Sequence, residues 1–274
     1  MSKVIKIAVV GVGHIGGRHA ELISTHNSLE LVAIVDIDDS KKSVSQKYNV
    51  PFYASIDELL SAKIEVDAIS ICTPNGLHFE QGKKVLENDI DVIIEKPISL
   101  SVDNAQTLKS LSNQRNKKVF CVMQNRYSPP AIWLKDMVDS GNLGQINQVI
   151  MNCFWNRDER YYEPGSWRGT KKLDGGPLFT QFSHFMDMLL WVFGPTSGEV
   201  SATFNNFRKP KLTELEDTGL VNFKFDNGSN GIVNYSTALW DKNFESSILI
   251  LAENGTVKVG GQYMDEVSFC HVKD

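Results

Sequence analysis

The sequence has few cysteines and no long hydrophobic run. Its four cysteines are widely scattered, and none stands in a C-x-x-C pair or beside histidines at metal-ligand spacing: Cys72, Cys121, Cys153 and Cys270. We therefore expect neither a metal site nor thiol chemistry. No apolar stretch reaches the roughly 18 residues that a bilayer-spanning helix needs. The chain is accordingly not expected to associate with a membrane.

An excess of basic residues is also lacking. Lysine and arginine total 28 against 33 acidic residues, which gives a formal net charge of −5. No basic run and no basic patch interleaved with aromatics stands out, so nucleic acid is not an expected partner. The opening Met1-Ser-Lys shows no signal-peptide features, which predicts a cytoplasmic protein. The 274 residues, 42% of them hydrophobic, suffice for one large or two ordinary folded domains.

What the sequence does contain is a glycine loop directly after an apolar strand. Gly11, Gly13 and Gly16 follow the strand Lys6–Val10 in G-x-G-x-x-G spacing. The first glycine permits a tight turn, the second lets the backbone approach a pyrophosphate, and the third lets helix and strand pack closely. Phosphates then lie at a helix N-terminus, where free N–H groups favour negative charge. The predicted cofactor site includes the intervening His14 and Ile15.

A second apolar segment, Leu29–Val35, ends at Asp36, 20 residues beyond Gly16. An acidic residue there accepts hydrogen bonds from the adenosine ribose and repels a 2′-phosphate. The following Ile37 brings no positive charge, so we predict NAD rather than NADP, although Lys41 and Lys42 lie a turn further on. The alternative is a purely structural strand-turn-helix with a solvent-facing aspartate.

Strand and helix signals alternate through residues 1–123, the predicted NAD-binding domain. Predicted strands are Lys6–Val10, Leu31–Asp36, Ala68–Ile71, Val92–Glu95 and Val119–Met123. Predicted helices are Gly16–Ser24, Ser40–Tyr48, Ile56–Ala62, His78–Glu87 and Ser101–Ser112. This alternation predicts an α/β Rossmann domain, a mostly parallel sheet that binds ligands at the carboxyl ends of its strands.

Two further strand ends carry chemical groups. After the third strand, Thr73 and Asn75 can hydrogen-bond a ribose or pyrophosphate, and His78 opens the next helix, where a histidine is more often a surface or capping residue. After the fourth strand come Glu95 and Lys96, and Lys96 is predicted to point toward the nicotinamide. The alternatives are an ordinary turn and an exposed Glu-Lys pair. The predicted cofactor site also includes Ile37, His78, Glu95, Lys96 and Gln124.

Residues 124–274 are predicted to form a C-terminal α+β domain for substrate binding and oligomerisation. Here strands follow one another without intervening helices, which indicates a mostly antiparallel sheet. Predicted helices are Ala131–Ser140 and Leu178–Phe193. Predicted strands are Gly144–Trp155, Glu199–Asn206, Gly219–Phe225, Gly231–Thr237 and Ser247–Ala252.

The motifs, in this order, resemble those of the Gfo/Idh/MocA family of NAD(P)-dependent sugar oxidoreductases. They are the glycine loop, Cys72-Thr-Pro-Asn-x-x-His78, Glu95-Lys-Pro97, Asn125-Arg-Tyr127 and Gly175-Gly followed by His184-x-x-Asp187. The resemblance covers essentially the whole chain. Within the family, Pro164-Gly-Ser-Trp-Arg-Gly169 is similar to UDP-N-acetylglucosamine uronate 3-dehydrogenases of surface-polysaccharide pathways.

The resemblance implies roles for Lys96 and His184. Lys96 matches the family's catalytic lysine beside the nicotinamide, and His184 matches its active-site histidine. Many members carry an aspartate four residues before that histidine, and here the position is Thr180, so an aspartate-assisted proton relay is not expected. The family usually continues past the last sheet strands, so we expect a shortened chain with exposed edge strands.

Oxidation of a sugar hydroxyl requires a base beside the cofactor. Burial near a positive charge depresses a lysine pKa, which favours Lys96 as the base. Histidine titrates near neutrality, so His184 is the alternative base or a proton partner. Asp187, one turn further along the helix, could orient His184. By residue type alone, His184 would sooner be a core histidine.

The aromatic, charged loop after the first strand of this domain offers cations for a diphosphate and flat groups for uracil. Its candidates are Arg157, Arg160, Tyr161, Tyr162, Trp167 and Arg168. Arg126, Thr180 and Gln181 complete the predicted substrate site. The alternative is an oligomer interface, where the same residue types are enriched. A homo-oligomer, dimer or tetramer, is expected.

We therefore predict an NAD-dependent dehydrogenase acting on a ring hydroxyl of a sugar, most specifically of a UDP-sugar acid. One alternative is another sugar or inositol dehydrogenase, or a ketoreductase, of the same family. A second alternative is a non-catalytic NAD(H)-binding sensor. The absence of an aspartate at position 180 and the early end of the chain favour it, whereas the presence of both Lys96 and His184 disfavours it.

Overall fold

The computed structural model describes residues 3–207 and 212–273. It divides the chain into two compact units, one up to Val122 and one from Met123 onward. Within the described ranges, no helix is both long and apolar enough to cross a bilayer.

The first unit is a Rossmann domain with an all-parallel sheet of six strands. The strands are β1 Ile5–Val10, β2 Leu29–Val35, β3 Phe52–Tyr53, β4 Ala68–Ile71, β5 Asp91–Ile94 and β6 Val119–Cys121, in the order β3-β2-β1-β4-β5-β6. The helices are α1 His14–Thr25, α2 Lys42–Tyr48, α3 Ile56–Ser61, α4 His78–Glu87 and α5 Val102–Arg115. The order reverses between β1 and β4, where folds of this type bind nucleotides.

Strand β1 shows why this sheet lies inside the unit. Ile7 and Val9 belong to one hydrophobic cluster, whereas Ala8 and Val10 belong to another on the opposite face. All four side chains are buried. Because helices cover both faces, the strand is apolar without interruption, as is typical of parallel sheets.

The second unit has a mixed sheet of seven strands, and all neighbouring pairs are antiparallel except β7 with β10. The strands are β7 Ile146–Phe154, β8 Thr196–Asn205, β9 Thr218–Phe225, β10 Asn230–Ser236, β11 Glu245–Ala252, β12 Gly255–Gly260 and β13 Glu266–Val272, in the order β13-β12-β11-β7-β10-β9-β8. Two helices, α6 Pro129–Asp139 and α7 Ser183–Phe193, share one hydrophobic core with it. The edge strands β8 and β13 are exposed along almost their whole length.

The predicted fold class is confirmed: a parallel Rossmann domain precedes a domain built on a mostly antiparallel sheet. Three short or late strands were missed, namely β3, β12 and β13. Strand β3 has only two residues, too few for an alternating pattern, and β13 is exposed on both faces.

The apolar helix predicted from Leu178 begins instead at Ser183. The preceding residues form turns in which the Phe182 N–H donates to the Pro177 carbonyl at 2.8 Å. Thr180 lies in these turns, and its hydroxyl donates to the Asp174 carbonyl at 3.0 Å. Side-chain bonds of this kind compete with helix formation, which explains the late start.

Candidate active site

The glycine loop has the close contacts that its spacing predicts. Gly11 has a φ of +81°, and its N–H donates to the Val35 carbonyl at 2.8 Å. A Cβ atom on Gly16 would lie 1.8 Å from the Gly11 carbonyl oxygen, so only glycine fits there. A Cβ atom on Gly13 would meet nothing within 4 Å. The backbone at the start of α1 therefore faces open space, as a bound pyrophosphate requires.

Asp36 lies beside this loop at the end of β2. Its carboxylate accepts the Val12 N–H at 2.8 Å and the Asp38 N–H at 2.9 Å. The side chain of Ile37 is 95% exposed. Two backbone donors thus fix the carboxylate next to the glycine loop, in the position from which it would bind a ribose.

At the end of β4, the polar turn is tied to the rest of the domain. The Thr73 hydroxyl donates to Gln81 Oε1 at 2.6 Å, and Asn75 is buried. His78 is fully buried, with Nδ1 2.7 Å from the Pro97 carbonyl oxygen and Nε2 2.8 Å from the Thr73 carbonyl oxygen. The expectation of a surface or capping histidine is wrong, because the ring links two strand ends. This geometry favours a positioning role over direct contact with the cofactor.

At the end of β5, Glu95 is buried with 7% of its surface exposed, while Lys96 is half-buried. Glu95 Oε1 lies 3.0 Å from Nε2 of His19, a residue of α1. The other ring nitrogen, Nδ1, lies 2.8 Å from the Ser70 hydroxyl oxygen. The alternative of an ordinary exposed Glu-Lys pair is therefore excluded for Glu95.

The contact between half-buried His19 and buried Glu95 favours the charged form of both groups. Burial lowers the pKa of His19, but the neighbouring Cys72 and Glu95 outweigh burial and raise that pKa to about 10. Burial raises the pKa of Glu95, yet the hydrogen bond and charge of His19 lower it overall. Sequence reasoning missed His19, and its place one turn after Gly16 was the single available signal.

In the second unit, His184 lies in the first turn of α7 and is buried, with 8% of its surface exposed. Asp187, in the same helix, accepts two hydrogen bonds from the Arg126 guanidinium, at 2.6 and 2.5 Å. Asp187 is therefore paired with Arg126, and its suggested role in orienting His184 stays a prediction. The charge of Arg126 is likewise matched within the protein, which weakens its predicted role in binding a substrate anion.

Thr180 stands where many family members are expected to carry an acid, and it contacts one. Its hydroxyl donates to the carboxylate of Asp174, which is 2% exposed and also accepts the Gly169 N–H at 2.6 Å. Gln181, next in the chain, donates through Nε2 to the Tyr161 hydroxyl at 3.0 Å. A carboxylate thus lies beside position 180 although its residue comes from earlier in the chain.

The aromatic loop holds two arginines against one ring. The guanidinium carbons of Arg157 and Arg168 lie 5.1 and 4.7 Å from the Tyr161 ring centroid. Arg168 also lies 5.6 Å from the ring of Trp167, which is half-buried. Burial lowers the pKa of Arg157. Cation–π contacts hold these guanidinium groups in place without neutralising their charge.

Three other predicted residues have different surroundings. Arg160 is paired with Asp158, with Nη2 2.6 Å from Oδ2, so its charge is matched. Tyr162 is 6% exposed and packs against Tyr161, which gives it a packing role. Gln124 is exposed. Within this loop, Arg157 and Arg168 are therefore the stronger candidates for anion binding.

A glycine loop, an aspartate and a lysine, each following a strand of one parallel sheet, are the arrangement expected of a dinucleotide-dependent oxidoreductase. Models of this class match residues 5–123, as "Oxidoreductase family, NAD-binding Rossmann fold", and residues 132–258, as the "GFO/IDH/MocA C-terminal domain". The chain belongs to the Gfo/Idh/MocA family.

Among solved structures, the chain is similar to the WlbA dehydrogenase of Chromobacterium violaceum in complex with NADH and UDP-GlcNAcA. The identity is 32%, the TM-score is 0.94, and the match covers 100% of this chain and 79% of that one. An uncharacterised oxidoreductase of Synechocystis is 28% identical over 81% of this chain and 63% of its own length. The D-glucoside 3-dehydrogenase of Escherichia coli is 26% identical over 83% of this chain and 68% of its own length. This chain thus spans about two thirds of the length of these two relatives.

These comparisons confirm the predicted family, the oxidoreductase class and the NAD-binding Rossmann domain. The individual site residues and the substrate remain predictions.

Replacing Asp36 tests the ribose assignment. We expect Asp36→Ala to weaken NAD⁺ binding by roughly tenfold, because it removes a charge-assisted hydrogen bond to the ribose. The ratio of NAD⁺ affinity to NADP⁺ affinity should also fall, since the aspartate no longer repels the 2′-phosphate of NADP⁺. Titration calorimetry with both cofactors measures the two affinities.

Asp36→Asn is the matched variant, because it keeps an oxygen acceptor for the Val12 N–H while it removes the charge. It should narrow the cofactor preference with less loss of NAD⁺ affinity. An unchanged ratio of NAD⁺ to NADP⁺ affinity in both variants would contradict the assignment.

Proposed function

We propose that this chain carries the cofactor and substrate sites of an NAD-dependent dehydrogenase that oxidises a ring hydroxyl of a UDP-sugar acid. The observation that carries the proposal is Lys96, half-buried beside an acid and a histidine at the end of β5, in a sheet whose β1 and β2 ends carry the dinucleotide loop and Asp36. Oxidation of a hydroxyl requires a base next to a hydride acceptor, and this arrangement supports that assignment for Lys96.

The relatives support the choice of substrate class. WlbA, 32% identical, was solved with a UDP-sugar acid, and a D-glucoside 3-dehydrogenase is 26% identical. The first favours a nucleotide-sugar acid, and both are consistent with oxidation of a sugar ring. We therefore assign the 3-hydroxyl of a UDP-linked uronic acid as the reacting group.

In this reaction the bound nicotinamide supplies the hydride acceptor. The neutral amine of Lys96 accepts the hydroxyl proton as the carbon–hydrogen bond breaks, and the hydroxyl becomes a ketone. His184 is either the alternative base or the group that passes the proton on. The Rossmann residues that would hold the cofactor are Gly11, Gly13, Gly16 and Asp36.

Binding of the nucleotide would rest on the second unit's aromatic loop. Arg157 and Arg168 keep their charge while they stack on Tyr161, so they can approach a diphosphate or a carboxylate. Trp167 offers a flat face for a base. Arg126 and Arg160 instead neutralise aspartates and would shape the loop.

A substrate panel tests the proposal. With NAD⁺ and the purified chain, UDP-GlcNAcA should produce NADH, followed by its ultraviolet absorbance, with a kcat/KM at least tenfold above those for UDP-GlcNAc and D-glucosides. The difference is expected because the carboxylate adds a charge-assisted contact to arginine.

Preference for D-glucosides would favour the second candidate, a free-sugar 3-dehydrogenase, which the similarity to the Escherichia coli enzyme supports. Cofactor binding without turnover of any sugar would favour the non-catalytic sensor and overturn the proposal.

A further inference from the structure

A half-buried histidine and a fully buried one approach the segment around Lys96 from different helices. His19 comes from α1 and contacts Glu95, the residue before Lys96. His78 comes from α4 and contacts the carbonyl of Pro97, the residue after Lys96. The backbone on both sides of the lysine is therefore fixed by side chains distant in sequence.

The Glu95 carboxylate contacts both the His19 ring and the backbone of Lys96. One carboxylate oxygen, Oε1, lies 3.0 Å from His19 Nε2, and the other, Oε2, accepts the Lys96 backbone N–H at 3.2 Å. Behind the ring, the Ser70 hydroxyl lies 2.8 Å from His19 Nδ1 and 3.7 Å from Cys72 Sγ. Both ring nitrogens of His19 thus have oxygen partners, as a protonated ring requires.

We propose that His19 is a positioning residue for Lys96: it holds the Glu95 carboxylate that bonds the lysine backbone, and it cancels the negative charge that Glu95 would otherwise place beside the lysine amine. The inference rests on the proposed role of Lys96 in proton transfer. Helix α1 would then have two roles. Its N-terminus follows the glycine loop of the predicted cofactor site, and its His19 sets the charge around the base.

Among the described residues, the titratable groups that interact with His19, Glu95 or Lys96 include members of four elements. Helix α1 contributes His19, the end of β4 contributes Cys72, α4 contributes His78, and the segment after β5 contributes Glu95 and Lys96. Burial lowers the pKa of His78, which favours the neutral form of this ring. Burial raises the pKa of Glu95, and the ammonium of Lys96 is one of the groups that lower it.

The sign of the expected effect follows from this balance. In His19→Gln the amide can still donate to Glu95, but the positive charge is lost. The carboxylate then stabilises the protonated form of Lys96, so a higher pH is needed to deprotonate the base. We expect the acidic limb of the kcat pH profile to move upward by about one pH unit. Turnover at neutral pH should fall roughly tenfold, with KM and NAD⁺ affinity changing less than threefold.

The double variant His19→Gln with Glu95→Gln separates charge from packing. It removes both charges and keeps similar side-chain shapes, so the acidic limb should return to within a few tenths of a unit of the wild-type position. His26→Gln, which changes an exposed histidine just after α1, is the matched control and should leave the profile unchanged.

A second measurement does not depend on turnover. The rate at which acetic anhydride acetylates Lys96, followed by peptide mass spectrometry across pH, reports the fraction of neutral amine. His19→Gln should shift this labelling profile upward, and the double variant should restore it. Unshifted labelling in His19→Gln would overturn the inference, as would an equal shift in the double variant. Failure of the proposed function is a different result, namely no turnover by the wild-type protein with the labelling shift still present.

Discussion

Lys96→Met is expected to reduce turnover by about a hundredfold or more, the usual scale for loss of a proton-transfer group. Methionine has a similar length and no titratable group, so the hydroxyl proton has no acceptor at this position. NAD⁺ affinity should stay within about threefold of wild type, because the glycine loop and Asp36 are untouched. Steady-state NADH production on the preferred substrate and calorimetric NAD⁺ titration give the two values.

The matched control is Lys109→Met, which makes the same replacement at an exposed position of α5. Its turnover should equal that of the wild-type protein. If Lys96→Met were also nearly as active as wild type, Lys96 would not be the base, and His184 would take that role.

Gly16→Ala is expected to lower NAD⁺ affinity by about a hundredfold or to abolish measurable binding. A Cβ atom there would lie 1.8 Å from the Gly11 carbonyl oxygen and 3.2 Å from Cys72 Cβ. The backbone cannot relieve the first contact without moving the loop away from α1, which displaces the N–H groups that would hold the pyrophosphate. Stability should also fall by about 1–3 kcal/mol, the usual cost of overpacking. Calorimetry and thermal unfolding test these effects.

The neighbouring Gly17→Ala is a stringent control, because a Cβ atom at Gly17 would meet nothing within 4 Å. Alanine inside a helix is more stable than glycine by roughly 0.5–1 kcal/mol, so this variant should unfold at an equal or higher temperature. Its NAD⁺ affinity should be unchanged. Equal effects of the two substitutions would contradict the close-contact explanation for Gly16.

The Rossmann half was well predicted because its signals are local. Strand β4 and helix α4 have the predicted bounds, and the glycine spacing predicted the close packing that the structure shows at Gly16. Apolar strands followed by turn residues and helical patterns recur within short windows. Each window therefore indicates its own element without knowledge of the rest of the fold.

The second unit was predicted less completely. Its helix α7 begins five residues later than expected, because Thr180 bonds to Asp174 rather than continuing a helix. Arg126 pairs with Asp187, 61 residues away, and its role in binding substrate stays a prediction. Sequence patterns give no information about such pairs, since the same arginine could serve either role until the fold selects its neighbour.

The sequence by itself determined the class of this protein, through the glycine loop, Asp36 and the segment containing Glu95 and Lys96 in their order along the chain. The tertiary structure decided which charges neutralise one another. His19 and Glu95 are 76 residues apart and meet because α1 packs against the same parallel sheet whose strand β5 ends just before Glu95. The physical reason is that backbone periodicity is encoded locally, whereas the partner of a buried charge is set by the packing of elements distant in sequence.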